Sequence, residues 1–245
     1  MSDVNTHSSW LQRPLGELVT ENTRTAAVFE RFGLDYCCHG HQSLEDAARE
    51  RGLDVAGVVA ALETLGAAPS SDRADEAGPL DRMTRLIIDQ HHRYVREATP
   101  TINAWLDKLV SRHGARHPEL AQVRDTFREL GDELATHMAK EENILFPFID
   151  ALAAAERGGG HPASPFGTIL NPVRVMEADH QLAGELQSRL RTLTSGFEPP
   201  ADGCTTYRLC YAELAHFEAD LHRHIHLENN VLFPRALDLE QTLVS

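Results

Sequence analysis

Two stretches of the chain carry the same arrangement of metal-ligating side chains. One is His224-Ile225-His226-Leu227-Glu228-Asn229-Asn230-Val231-Leu232-Phe233-Pro234, and His137-Met138-Ala139-Lys140-Glu141-Glu142-Asn143-Ile144-Leu145-Phe146-Pro147 is a looser copy of it. Each reads His-x-x-x-Glu, then a polar pair, an apolar pair and Phe-Pro. Residues four apart share a helix face, so each copy presents one imidazole together with one carboxylate. Two such pairs on facing helices match the donor sets that hold two metal ions in a bundle core.

Energetics favours ions over a bare polar core. Buried unpaired carboxylates cost several kcal/mol. Two of them in one core also repel, which raises a pKa. Two cations remove both objections, because each carboxylate can give one oxygen to each ion while imidazoles cap them. Nitrogen and oxygen donors without thiolate allow iron, manganese or zinc. The alternative is a core in which histidines and glutamates simply hydrogen-bond to one another.

Four long amphipathic helices must position these groups, at about 80–112, 118–157, 168–195 and 204–240. Steps of three and four place Leu80, Met83, Ile87, His91, Val95, Ala98, Ile102, Leu106 and Leu109 on one stripe of the first. His91 falls on that stripe and His92 falls off it. The second stripe runs Leu120, Val123, Phe127, Leu130, Leu134, His137, Glu141, Leu145 and Phe148. His180 lies on the third stripe, between Met176 and Ala183, and His224 and Glu228 lie on the fourth, beyond Leu221. His222 and His226 point elsewhere and are expected to be partly exposed. The lone and paired histidines are separated by 46 residues in the first half and 44 in the second, an internal repeat. Pro100 is expected to bend the first helix, and Pro147 requires a bend or break just past the site. A short turn at 114–117 suits antiparallel neighbours.

Residues 1–65 read as a small helical domain. Short helices follow Pro14, Thr23, Ser43 and Asp54, with Gly33 ending the second and Ser43 and Asp46 forming a capping box for the third. A core of roughly 60 residues is marginal alone, so this domain packs on the rest of the chain or on a second copy, as in a homodimer. Its turn Asp35-Tyr36-Cys37-Cys38-His39-Gly40-His41 gathers thiols and imidazoles. Cys37 and Cys38 read either as a redox or transient iron-binding thiolate pair or as half-buried cysteines beside surface histidines. So few residues cannot comfortably wrap a closed zinc site. A small, polar, proline-broken linker spans 66–79, and the bundle occupies 80–240.

A net charge of −14 argues against nonspecific binding to nucleic acid or anionic membrane. No apolar run is long enough to span a bilayer, and the polar start lacks a signal peptide's basic region. Adjacent cysteines are poor material for a disulfide framework, so a reducing, cytoplasmic setting is expected. No phosphate-binding loop is present, so energy from ATP is not implied.

From Pro14 to Leu237 the chain resembles the iron–sulfur cluster repair di-iron proteins, whose C-terminal part is a hemerythrin-like four-helix bundle. Asp35-Tyr36-Cys37-Cys38, Val175-Met176-Glu177-Ala178-Asp179-His180 and the stretch from His224 to Pro234 carry the resemblance. It implies an all-α protein, a small N-terminal helical domain followed by an antiparallel bundle. It implies two non-haem irons with an oxo or hydroxo bridge. His91, His137, His180 and His224 would be terminal ligands, and Glu141 and Glu228 bridging carboxylates. The family restores clusters damaged by nitric oxide or oxidants, so damaged iron–sulfur proteins are the expected partners. A sensor or carrier of nitric oxide or oxygen, or a reductase of nitric oxide or peroxide, is the other implied reading. Cys37 and Cys38, on a hinged domain, would relay iron or electrons. Where the family turn usually reads Cys-Cys-Gly-Gly, this chain has His39. Oxygen-carrying hemerythrins have a fifth histidine and an aspartate bridge, whereas this chain has Glu228, and Val95 follows His91 on the seam. Repair or redox work is therefore expected over reversible oxygen carriage.

Overall fold

The computed structural model describes residues 10–65, 78–160 and 162–244. The linker expected at 66–79 therefore lies, from 66 to 77, outside the described residues. Every regular element described is helical.

Four short helices come first: α1 (Leu15–Glu21), α2 (Arg24–Phe32), α3 (Leu44–Glu50) and α4 (Val55–Glu63). Local chemistry sets their ends. Gly33 closes α2 at φ 68°, a left-handed conformation that glycine adopts without strain. Ser43 Oγ accepts from the backbone N–H of Asp46 at 3.1 Å and donates to its carboxylate at 2.7 Å, which fixes the start of α3. Asp54 caps α4 through the N–H of Ala56 at 3.2 Å.

The bundle has four rods. The first joins α5 (Leu80–Ile87) to α6 (Arg93–His113) through a π-helical turn, Ile88–His92. The second joins α7 (Glu119–Lys140) to α8 (Phe146–Gly158) through Glu141–Leu145. The third is α9 (Leu170–Leu193), without interruption. The fourth joins α10 (Thr205–Leu227) to α11 (Phe233–Val244) through Glu228–Leu232. Pro147 produces no break. It sits in the first turn of α8, beyond the point where the ladder has widened, and Pro234 sits likewise in α11. A wide turn frees the preceding carbonyl that a proline ring would otherwise strike. Pro100 lies inside α6, which continues through it.

The apolar positions of all four stripes are buried. They form two clusters, not one. Leu80, Met83, Ile87, Leu145, Phe146, Ile149, Ile169, Val173, Leu232 and Phe233 fill one end of the bundle. Val95, Ile102, Leu130, Leu134, Ala183, Leu214, Phe217 and Leu221 fill the other. On every rod the change from one cluster to the other falls at the histidines and glutamates.

The second cluster also contains Leu15, Leu18, Phe29, Tyr36 and Cys37, so the N-terminal helices share its core. Gly16 and Gly40 press on the side chain of Asn230, which a Cβ at either position would strike. Asn230 Nδ2 donates to the carbonyls of Tyr36 and Cys37, 3.2 Å from each. The turn expected to stand apart on a hinge is thus seated on the bundle. The small core could not stand alone, and the bundle supplies the missing apolar face.

Candidate metal centre

Between the two apolar clusters lies a polar layer with almost no access to solvent. Glu141, Glu228 and His92 are 0% exposed, His180 and His224 1%, and His137 3%. Donor atoms of His137, Glu141, His180 and Glu228 lie within 4.8 Å of one another, and so do those of His92, Glu141, His224 and Glu228. Glu141 and Glu228 belong to both groups. His137 Nε2 is 3.2 Å from Glu141 Oε2. His180 Nε2 is 3.0 Å from Glu228 Oε2, and His224 Nε2 is 3.0 Å from Glu228 Oε1. His92 Nε2 is 3.3 Å from Glu141 Oε2.

Five of the six expected side chains meet here, and the place given to His91 is taken by His92. The π-helical turn Ile88–His92 is the cause. Counting four from the buried Ile87 reaches His91, but a widened turn advances the inward face by one residue. His91 is buried too, at 5%, and turns to Asp220, with Nδ1 2.9 Å from its carboxylate, while its ring stacks on His224 at 5.6 Å. His226, expected to be partly exposed, is fully buried, because Thr20 and Tyr36 cover that face of α10. His222 is half-buried, 3.8 Å from Glu30.

Three of the four outer nitrogens follow a rule that the sequence did not announce, and the fourth, His224 Nδ1, is buried without a hydrogen-bond partner. His92 Nδ1 faces Glu142 at 2.7 Å, His137 Nδ1 faces Asp179 at 3.4 Å, and His180 Nδ1 faces Asn229 at 2.9 Å. Each acceptor is the immediate chain neighbour of a cluster residue on the next rod: Glu142 beside Glu141, Asp179 beside His180, Asn229 beside Glu228. An acceptor on Nδ1 fixes the tautomer that leaves Nε2 with its lone pair facing inward, as metal-bound histidines require. Adjacency to the seam residues was the signal that could have found these three.

Electrostatics and hydrogen bonding both fit cations. Burial, and then the charge of Glu228, push Glu141 up, but His137 and His92 hold it below the usual carboxylate range. Glu228 is likewise opposed by burial, yet His224 and His180 hold it well below that range. Burial works against charge on His137, but the neighbouring carboxylates raise it to about 10. His92 Nε2, both oxygens of Glu141 and Glu228 Oε2 are buried without a well-aligned hydrogen bond. Such orphaned donors, converging at ligand distances, suit two ions sharing two carboxylates.

Beside this layer sits the cysteine turn. Asp35 Oδ1 accepts from the N–H groups of Cys37 and Cys38, at 3.1 and 2.9 Å. That holds the two sulfurs 4.0 Å apart. His39 Nδ1 lies 2.7 Å from Asp35 Oδ2, and the ring stands half in solvent. His39 takes no left-handed conformation; the close approach in this turn falls to Gly40. The Cys37 thiol is pushed up by contact with Cys38 and by burial. Cys38 is more open, 3.7 Å from the carbonyl of His180, at the wall of a cleft of about 440 Å³ between the turn, α9 and α10. Among the described residues no helix is long and apolar enough to cross a membrane.

Residues 84–236 match the model of the hemerythrin HHE cation-binding domain, and residues 11–66 match a domain of unknown function, DUF542. The chain is 39% identical over 226 residues to the iron-sulfur cluster repair protein YtfE of Musicola paradisiaca, covering 92% of this chain and 96% of that protein. It is 36% identical to the YtfE protein of Edwardsiella ictaluri over 94% of this chain and 98% of that one. For the YtfE protein of an Enterobacter species the identity is 38%, over 92% and 96%. Its helical bundle, its buried His and Glu layer and these likenesses together show that the chain belongs to the iron–sulfur cluster repair family with a hemerythrin HHE domain.

Proposed function

We propose that this chain is a di-iron protein that repairs iron–sulfur clusters damaged by nitrosative or oxidative stress, acting on damaged iron–sulfur proteins. The observation that carries the reading is the pair of four-residue groups that share Glu141 and Glu228. His92 and His224 would hold one iron, His137 and His180 the other, and the two glutamates would span both, with an oxo or hydroxo bridge completing the pair. Bound there, the irons would supply one-electron redox chemistry and exchangeable metal. With the rings neutral, as metal binding requires, the acceptors on Glu142, Asp179 and Asn229 would hold the remaining proton of each on Nδ1 and leave three Nε2 atoms for the ions. The apolar clusters above and below keep bulk water from the carboxylates.

Iron as cargo would pass by the cleft. Cys38 lines it, and Asp35, Cys37 and Cys38 have donor atoms within 4.8 Å of one another. As a buried thiol Cys37 is a poor ligand, so Cys38 is the first contact in this arrangement and Cys37 joins once the turn opens. Cys37, Cys38, Cys204 and Cys210 are all free, which fits a reducing, cytoplasmic compartment.

The test uses anaerobic, iron-loaded protein and a cluster enzyme inactivated by nitric oxide. Recovery of that enzyme, matched by iron lost from this protein, supports repair by delivery. Turnover of nitric oxide or peroxide without recovery would move the reading to a reductase. Stable stoichiometric binding without either would make it a sensor or carrier.

A further inference from the structure

Of the three residues that hold outer imidazole nitrogens, two are carboxylates and one is a carboxamide. The carboxamide, Asn229, is also the one that reaches the N-terminal helices. Its Oδ1 lies 2.9 Å from His180 Nδ1, and its Nδ2 lies 3.3 Å from the main-chain oxygen of Cys37. A carbonyl oxygen only accepts, so the amide nitrogen must face Cys37 and the amide oxygen must face His180. That orientation demands a hydrogen on His180 Nδ1. In the neutral ring Nε2 then keeps its lone pair, and Nε2 is the atom 3.0 Å from Glu228 and 3.1 Å from His137 Nε2. A metal ion needs that lone pair.

We propose that Asn229 is a positioning residue that couples seating of the Cys37–Cys38 turn to metal binding at His180. The proposal rests on the metal-centre reading above. The opposite tautomer shows why. With the hydrogen on Nε2, His180 would donate to Glu228 and turn a bare Nδ1 to Asn229. The amide would have to rotate to serve it. Its oxygen would then confront the Cys37 carbonyl, acceptor against acceptor. Of the two neutral tautomers, only the one that binds metal satisfies both bonds of Asn229, to Cys37 and to His180 Nδ1. Linkage makes the effect mutual: a seated turn favours metal, and metal favours a seated turn. Asn230 anchors the turn through Tyr36 and Cys37 in either state, so the coupling adjusts seating without abolishing it.

Amide hydrogen exchange at residues 36–42 of the full chain, metal-free and loaded anaerobically with ferrous iron, measures the coupling. Loading should slow exchange at the turn about three- to tenfold, the span that one net hydrogen bond commands. Asn229→Asp still accepts from His180 but has no N–H for Cys37. It should still take up two irons, with an affinity lowered only by the share that the lost Cys37 contact contributed, while the turn no longer responds to loading. Asn229→Ala loses both contacts, so its iron affinity should fall about tenfold or more and its turn should not respond. Should that variant fold poorly, Asn229→Asp decides alone. Wild-type protein that binds two irons with no change at the turn overturns the coupling and spares the metal reading. A full response in Asn229→Asp also overturns it. Wild-type protein that takes up no iron overturns the metal reading itself, and the coupling with it.

Discussion

Replacing His92 by alanine tests the one ligand on which chain periodicity and geometry disagree. His92 is 0% exposed, with Nε2 3.3 Å from Glu141 and Nδ1 2.7 Å from Glu142. Without it, the group of His92, Glu141, His224 and Glu228 keeps three members, one fewer than its partner group. Metal content should fall from two ions per chain to about one, while the site of His137 and His180 stays filled. In the metal-free protein Glu141 loses one neighbour but keeps His137 at 3.2 Å. The cost should therefore be that of one weakened buried acceptor, about 1–3 kcal/mol. A chain of this size shifts in Tm by about 2–4 °C per kcal/mol. His91→Ala provides the contrast. It loses the contact with Asp220 and the stack on His224, so it should destabilise the fold while both ions remain. Elemental analysis after desalting, beside thermal melts of both variants, gives the answer. A His91 variant that loses metal, with a His92 variant that keeps two ions, would refute the assignment and the role given to the π-helical turn.

Three more outcomes follow from the same geometry. His137 stands at about 10 in the metal-free protein and is charged at neutral pH, whereas a metal ligand must be neutral, so loading should release protons. Affinity should rise with pH up to about 10 and level off above it, which calorimetry in buffers of different ionisation enthalpy can measure. Gly40→Ala drives a Cβ into Asn230 and the Tyr36 carbonyl, so it should cost about 1–3 kcal/mol and loosen the turn while both ions stay bound; limited proteolysis and metal analysis on one sample check this. Alanine at both Cys37 and Cys38 leaves intact the main-chain oxygen that Asn229 and Asn230 hold. Metal content should therefore persist while cluster repair falls sharply, and repair at the wild-type rate would remove the thiols from the pathway.

Much of this arrangement is legible in the chain. Steps of three and four find the buried stripes because a bundle helix hides one continuous face, and the His-x-x-x-Glu pairs sit on that face. The π-helical turns are a different matter. Two of the three stand just before Phe-Pro and so leave a mark in sequence, but Ile88–His92 has no proline beside it. Its extra residue per turn moved the inward histidine from 91 to 92. One clue was present: the two halves repeat more evenly from His92 than from His91. The burial of His226 was illegible for another reason, since the group that covers it, Tyr36, comes from far away in the chain. Seating of the turn had a fainter trace. Gly16 and Gly40 are needed because two backbones meet the same asparagine, which no local pattern reveals.

The central claim is that two metal ions share two carboxylates. Mössbauer spectra of protein reconstituted with enriched iron, beside total iron and acid-labile sulfide on the same sample, test it most directly. The account predicts about two irons per chain, magnetically coupled, without sulfide, and loss of the coupling in Glu141→Ala and Glu228→Ala. One iron per chain, two uncoupled irons, or sulfide in matching amount would contradict it.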